Sequence, residues 1–251
     1  MLDFTSPHVL AIALTFFLAG IVKGVTGMGL PTVAMGVLGA IMPPVSAASL
    51  LIVPSFVTNC WQLFTGPNFL GLLSRLWLMM LGIVLGTIAG SWLLTSADTE
   101  WTTIALGVAL MLYGGYGLLA RPVAVTANVE RVLSPMVGLL TGLVTGGTGV
   151  FVIPAVPYLQ ALDLGKDDLI QALGLSFTIS TVALTIGLAD GGAFHPGNLM
   201  VSALAVVPAL LGMWFGQSVR RYISPATFRR GFLICLVLLG LELAVRPFLQ
   251  V

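Results

Sequence analysis

The sequence predicts an all-α integral membrane protein built from two inverted repeats of five segments each. Three observations predict it. Of the 251 residues, 58% are hydrophobic and only 8% charged, against roughly 25% charged in soluble domains. Ten apolar segments follow one another, and no polar stretch between them is long enough to fold alone. A glycine- and threonine-rich motif, Gly20-Ile-Val-Lys23-Gly24-Val-Thr26-Gly27, returns 122 residues later as Gly142-Leu-Val-Thr145-Gly146-Gly-Thr148-Gly149. A motif that occurs once in each half of a membrane chain is the usual mark of a duplicated transport fold.

The segments read in order as follows. Segment 8–23 leads into the first motif and segment 29–42 leaves it. Both fall short of the ~20 residues a spanning helix needs, and Pro31 follows the motif closely. They are predicted as half-helices or re-entrant hairpins. Segment 46–64 is long enough to span and carries Ser55, Thr58, Asn59 and Gln62 within two turns. Segment 72–95 carries Gly82-x₃-Gly86-x₃-Gly90, and segment 102–120 completes the first half. Segments 133–146 and 150–162 are again short and flank the second motif, with Pro154 after it. Segment 169–189 carries Gln171, Ser176, Thr178, Ser180 and Thr181. Segment 198–218 carries Pro208-x₃-Gly212-x₃-Gly216, and segment 230–249 ends the second half. Gly82 and Pro208 stand 126 apart, Trp101 and Phe228 127 apart, Gly114 and Gly240 126 apart. The predicted units are therefore residues 1–125 and 126–251. Glycines at four-residue spacing let helix backbones approach closely. Here they join either the two halves or two copies in a homodimer.

Charge sets the orientation. With alternating segments, one side holds Arg75, Arg121, Arg131, Lys166, Arg220, Arg221, Arg229 and Arg230. The other holds Asp98, Glu100, Asp190 and His195, with Arg246 as the cation near a helix end. Cytoplasmic loops carry the excess of Lys and Arg. The basic side is thus predicted to be cytoplasmic, with both termini outside the cell inner membrane. The loop after the fourth segment is acidic and its counterpart after the ninth is basic, as inverted halves require. Met1-Leu2-Asp3-Phe4 lacks the positive start of a signal peptide, so the first apolar run reads as a retained segment.

Other classes are excluded. A net charge of +1 gives no reason to expect nucleic acid. Cys60 and Cys235 lie in apolar runs and read as small buried hydrophobes without a disulfide. His8 and His195 cannot build a metal centre by themselves, and no nucleophile elbow, zinc-protease motif or phosphate loop is present. The chain is read as not an enzyme, with no cofactor and no metal. Glu242 lies deep in the last segment, but Arg246 four residues on makes a helical ion pair the simpler reading.

The chemistry is expected where helices break. A buried break exposes backbone donors, and helix N-termini suit an anion. Around the first motif the candidate ligand-binding residues are Lys23, Thr26, Gly27 and Gly29; around the second they are Thr145, Gly146, Thr148 and Gly149. Asn59, Gln62, Gln171 and Ser176 are added because polar groups are costly to bury in an apolar setting. Each has a structural alternative. Lys23 can end a helix and extend to the interface. The threonines can bond to their own backbone.

The two Gly/Thr-rich motifs, each followed by a proline and a short apolar segment, resemble the sulfite exporter TauE/SafE family, also called the TSUP anion permeases. The resemblance covers essentially the whole chain. It implies movement of a small sulfur-containing or organic anion such as sulfite, sulfoacetate or another sulfonate. The copies differ: Lys23 is matched by Thr145 and Gly29 by Phe151. The expected function is a secondary transporter exporting such an anion by alternating access, its partners the anion and the lipid bilayer. A passive anion channel and a non-transporting assembly subunit are the alternatives.

Overall fold

The computed structural model describes residues 7–119, 124–193, 196–220 and 222–249. Arg121, His195, Arg221 and the first four residues, on which parts of the sequence reading rest, lie outside them. The described residues form ten helices and no strand. They are α1 (Pro7–Thr26), α2 (Leu30–Gly39), α3 (Pro44–Thr65), α4 (Phe69–Ser96), α5 (Thr99–Leu119), α6 (Ala127–Thr148), α7 (Ala155–Gln160), α8 (Lys166–Asp190), α9 (Pro196–Val219) and α10 (Pro225–Leu249).

Seven of them, α1, α3, α4, α5, α8, α9 and α10, are long and apolar enough to cross a membrane. Their outer faces carry large apolar side chains, and all five tryptophans (Trp61, Trp77, Trp92, Trp101, Trp214) are exposed. Such a surface suits lipid. The chain is a multi-pass membrane protein. The same logic corrects the reading of the cysteines. Cys60 is half-buried and Cys235 exposed, and both are free. In lipid an apolar run has no need to turn inward.

Two of the four short segments are also corrected. Segments 8–23 and 133–146 belong to continuous helices, α1 and α6, of 20 and 22 residues. Their glycines do not break them, because without water every backbone group must be paired inside the helix. The breaks come just after. Gly27 (φ 79°), Gly29 (φ 99°) and Gly149 (φ 71°) adopt the left-handed conformation that ends a helix at little cost in glycine. Only α2 and α7 remain short.

Packing follows the glycines. α1 lies along α9 and α4 along α6. A Cβ at Gly142 would stand 2.6 Å from Thr87 N, and one at Gly82 2.6 Å from Pro135 O. Gly20 and Gly24 meet the α9 backbone at Ala209 and Met213, while Gly212 and Gly216 meet α1 at Phe17 and Ile21. Gly107 and Gly240 face one another between α5 and α10. Every one of these pairs joins the first half to the second, so these glycine faces are occupied within one chain. The remaining major contacts are α3 with α8, α3 with α9, and α4 with α8. Exchanging α1–α5 with α6–α10 leaves this set of pairs unchanged.

α3 and α8 are the two most enclosed of the long helices. α3 contains Pro54, which leaves the Leu50 carbonyl without its helical donor. Ser202 of α9 closes the gap: its hydroxyl donates to Leu50 O at 2.7 Å and accepts from Val53 N at 3.1 Å. The ends of the short helices are held alike. Arg75 pairs with Glu130 through two contacts, 2.7 and 2.8 Å, and donates to Leu162 O just beyond α7. Arg246 pairs with Glu242 at 2.8 Å, as the four-residue spacing suggested, and donates to Ala40 O just beyond α2 at 2.6 Å.

Candidate functional site: a buried lysine at the floor of a cavity

Lys23 lies in the last turn of α1, on the side facing α3. It is 3% exposed. It therefore does not extend to an interface. Its Nζ donates to Thr58 Oγ1 at 3.1 Å and, in a shorter contact, to Asn59 Oδ1. Both partners are neutral. Among the described residues no carboxylate stands within ion-pair distance of it. Asn59 in turn donates from Nδ2 to Thr181 Oγ1 of α8 at 3.4 Å. Thr58 and Thr181 send their own protons to the Pro54 and Phe177 carbonyls. The Lys23 Nζ is thus held by polar oxygens with no counter-charge among the described residues, and a charge placed there is expensive in an apolar interior.

A cavity of about 210 Å³ reaches this group. Gly24, Gly27, Thr58, Gln62 and Met213 line its inner part, with Ile170 exposed beside them. Exposed Trp61, Thr65, Gln217 and Arg220 line its mouth. The mouth lies where α3 and α9 end and α8 begins, the end of the bundle that carries Arg75, Lys166 and Arg220. Arg220 stands at the cavity's exposed end and Lys23 at its buried end.

The other expected residues divide into two groups. Gln62 belongs to the site: it lines the cavity and donates from Nε2 to Gly27 O at 3.1 Å and Ile170 O at 2.9 Å. Gly27 lines it too. The remainder bond elsewhere. Thr26 Oγ1 lies 2.8 Å from the Val22 and Met28 carbonyls and accepts from Met28 N. Thr148 does the same work in the second half, bonding to Val144 O at 2.6 Å and Val150 N at 3.2 Å. The recurring threonine therefore ties a helix end to the turn after it. Thr145 donates to Thr141 O, and Gly146 packs on α4 beside Thr87 and Ser91. Gly29 packs against Val22 and Phe232, Gly149 against Met35. Ser176 is buried in α8 with its hydroxyl unpartnered.

Gln171 is a cap. Nε2 donates to Leu63 O at 2.8 Å and Gly66 O at 2.9 Å, while Oε1 accepts from Asn68 N at 2.8 Å. It satisfies the end of α3 and the turn into α4 together. Gln171→Leu should remove three bonds and strand two carbonyls. A loss of about 2–4 kcal/mol follows, at about 1 kcal/mol or more per group, and chemical denaturation in detergent would measure it. An unchanged midpoint would show that water replaces the amide there.

The sequence reading missed Gln217 and Arg220, and it left Thr58 out of the site. Gln217 carried a signal, an amide at the end of an apolar run. Arg220 was visible only as a loop charge. In the second half the places of Lys23, Gly29 and Ser55 are taken by Thr145, Phe151 and Phe177. The two aromatic rings, both fully buried, pack 5.7 Å apart. Lysine and serine in the first half are thus matched by threonine and phenylalanine in the second.

An all-helical bundle with a lipid-suited surface defines a multi-pass membrane protein, and one of its cavities ends on a buried lysine. The chain belongs to the sulfite exporter TauE/SafE family, whose model matches residues 12–243, as the motifs implied. That membership points to a membrane exporter of sulfite or a related anion. Comparison with the curated proteins and with the solved structures finds no match.

Proposed function

We propose that this protein exports a small sulfur-containing or organic anion across the cell inner membrane by alternating access, with Lys23 as the counter-charge of the bound anion. One observation carries the reading: a buried lysine whose partners among the described residues are all neutral ends a cavity large enough for such an ion. An anion seated there would supply the opposite charge that the protein does not. Membership in an exporter family supports the direction of transport. The excess of cations at the end where the cavity opens supports placing that mouth in the cytoplasm, with both termini outside. The membrane potential then favours exit by about 2.3 kcal/mol per charge per 100 mV.

The halves are read as inverted repeats, residues 1–125 and 126–251. The support is that helix pairs survive the exchange of α1–α5 with α6–α10, and that the glycine-lined contacts all run between halves. Rocking one repeat against the other would move Lys23 from one face to the other. Purified protein in proteoliposomes loaded with sulfite or sulfoacetate should release the anion saturably, and the same anion on the far side should accelerate release. Flux that never saturates would establish a channel instead. Absence of flux for every short sulfonate and carboxylate would overturn transport itself.

A further inference from the structure

The amide of Gln62 is oriented by its partners. Nε2 faces two carbonyl oxygens, those of Gly27 and Ile170. Turning the amide over would set Oε1 against both, so the nitrogen must be where it is. Oε1 is then an acceptor with no partner, on a residue that is 7% exposed and lines the cavity. Close by is a spare donor. An ammonium has three N–H groups, and Lys23 uses two of them on Thr58 and Asn59. Gln62 stands one helical turn beyond Thr58 on α3, and it bonds to Gly27 in the turn just after α1. Lys23 and Gln62 line the same cavity of about 210 Å³, so a ligand of a few heavy atoms seated in it has both side chains as neighbours.

We propose that the preferred ligand is a short sulfonate or carboxylate bearing its own hydroxyl, its oxyanion on Lys23 and its O–H donated to Gln62 Oε1. This rests on the reading of Lys23 as the anion's counter-charge. A bare anion satisfies the lysine and leaves the acceptor stranded. An ammonium-bearing anion would bring a third positive charge into a cavity that already holds Lys23 and Arg220, so the hydroxyl is favoured. Sites built to bond a ligand O–H discriminate strongly against the analogue lacking it, because their own polar group is left unpaired.

The test is binding to the purified full chain of two matched pairs: 2-hydroxyethanesulfonate with ethanesulfonate, and glycolate with acetate. The hydroxylated member of each pair should bind at least about tenfold more tightly. In Gln62→Met that preference should fall to about twofold or less. In Lys23→Met both members should bind about 10–100-fold more weakly. Equal binding of the two members to the native protein, with binding still weakened in Lys23→Met, would overturn the hydroxyl requirement and leave the lysine reading standing. Binding that Lys23→Met does not weaken would overturn both. The comparison on the native protein decides the matter even where Gln62→Met fails to fold.

Discussion

Lys23→Met is expected to abolish anion transport while leaving the melting temperature of the ligand-free protein within about 4 °C of the parent. The two halves of that expectation have different causes. A hydrogen bond to a charged group contributes about 1.5–3 kcal/mol, so losing the ammonium should weaken anion binding by about 10–100-fold and remove the feature that draws the ion inward. Stability responds otherwise. The ammonium is nearly fully buried and has only Thr58 and Asn59 to replace its water. Methionine fills similar space without that desolvation penalty. Against this gain stands the stranded Asn59 Oδ1, at about 1–3 kcal/mol, and a change of about 1 kcal/mol moves the melting point of a chain this size by about 2–4 °C. Pairing Lys23→Met with Asn59→Leu removes the stranded oxygen too, and that double variant should melt at or above the parent. A residue kept for structure behaves differently. If both variants melted more than about 10 °C lower, Lys23 would be a packing element and not an anion site.

Much of this was legible because membrane sequence is written in coarse terms. The ten apolar runs correspond to the ten described helices, since charged residues and prolines punctuate them. The Gly82, Gly86, Gly90 and Gly212, Gly216 spacings announced close helix contacts, and those contacts exist. Hydropathy could not show how far helices continue past their apolar stretch. The first turns of α6 include Asn128, Glu130 and Arg131, which end a hydrophobic run but not a helix. Polar side chains inside apolar sequence stood out: Lys23, Asn59 and Gln62 are costly to bury, and in the structure Lys23 bonds to Asn59 and shares a cavity with Gln62. Cost alone does not separate a ligand group from a cap. Gln171 looked like Gln62 in sequence, yet all its bonds close the end of α3. Nor could sequence bring Arg220 to the mouth of the cavity, because that follows from α9 lying along α1.

The glycines that set α9 and α6 in place should tolerate almost nothing. Gly142→Leu is expected to abolish folding, and even Gly142→Ala should cost about 3 kcal/mol or more, the upper end of the usual penalty for overpacking. A Cβ at Gly142 stands 2.6 Å from Thr87 N and 2.8 Å from Gly86 Cα. Those neighbours are backbone, so no side chain can rotate away and α4 must separate from α6 along its length. In lipid, where close packing rather than the hydrophobic effect joins helices, that separation removes the main source of attraction. Gly115 and Gly231 provide the control. A methyl group added at either position would meet no neighbour within 4 Å, and both lie within helices. Gly115→Ala and Gly231→Ala should leave the protein unchanged or stabilise it by about 0.5–1 kcal/mol through lower backbone entropy in the unfolded chain. Thermal unfolding of the three alanine variants in one detergent would rank them. Equal melting points for Gly142→Ala and Gly231→Ala would show that α4 and α6 are not in backbone contact. The same ladder on the other side bears on function, because Gly24 packs α1 onto α9 at Met213 one residue from Lys23. Gly24→Ala should therefore displace the lysine along with its helix, lowering anion affinity as well as stability. Gly142→Ala, far from Lys23 in the chain and held against α4, should lower stability while leaving the affinity of whatever protein folds.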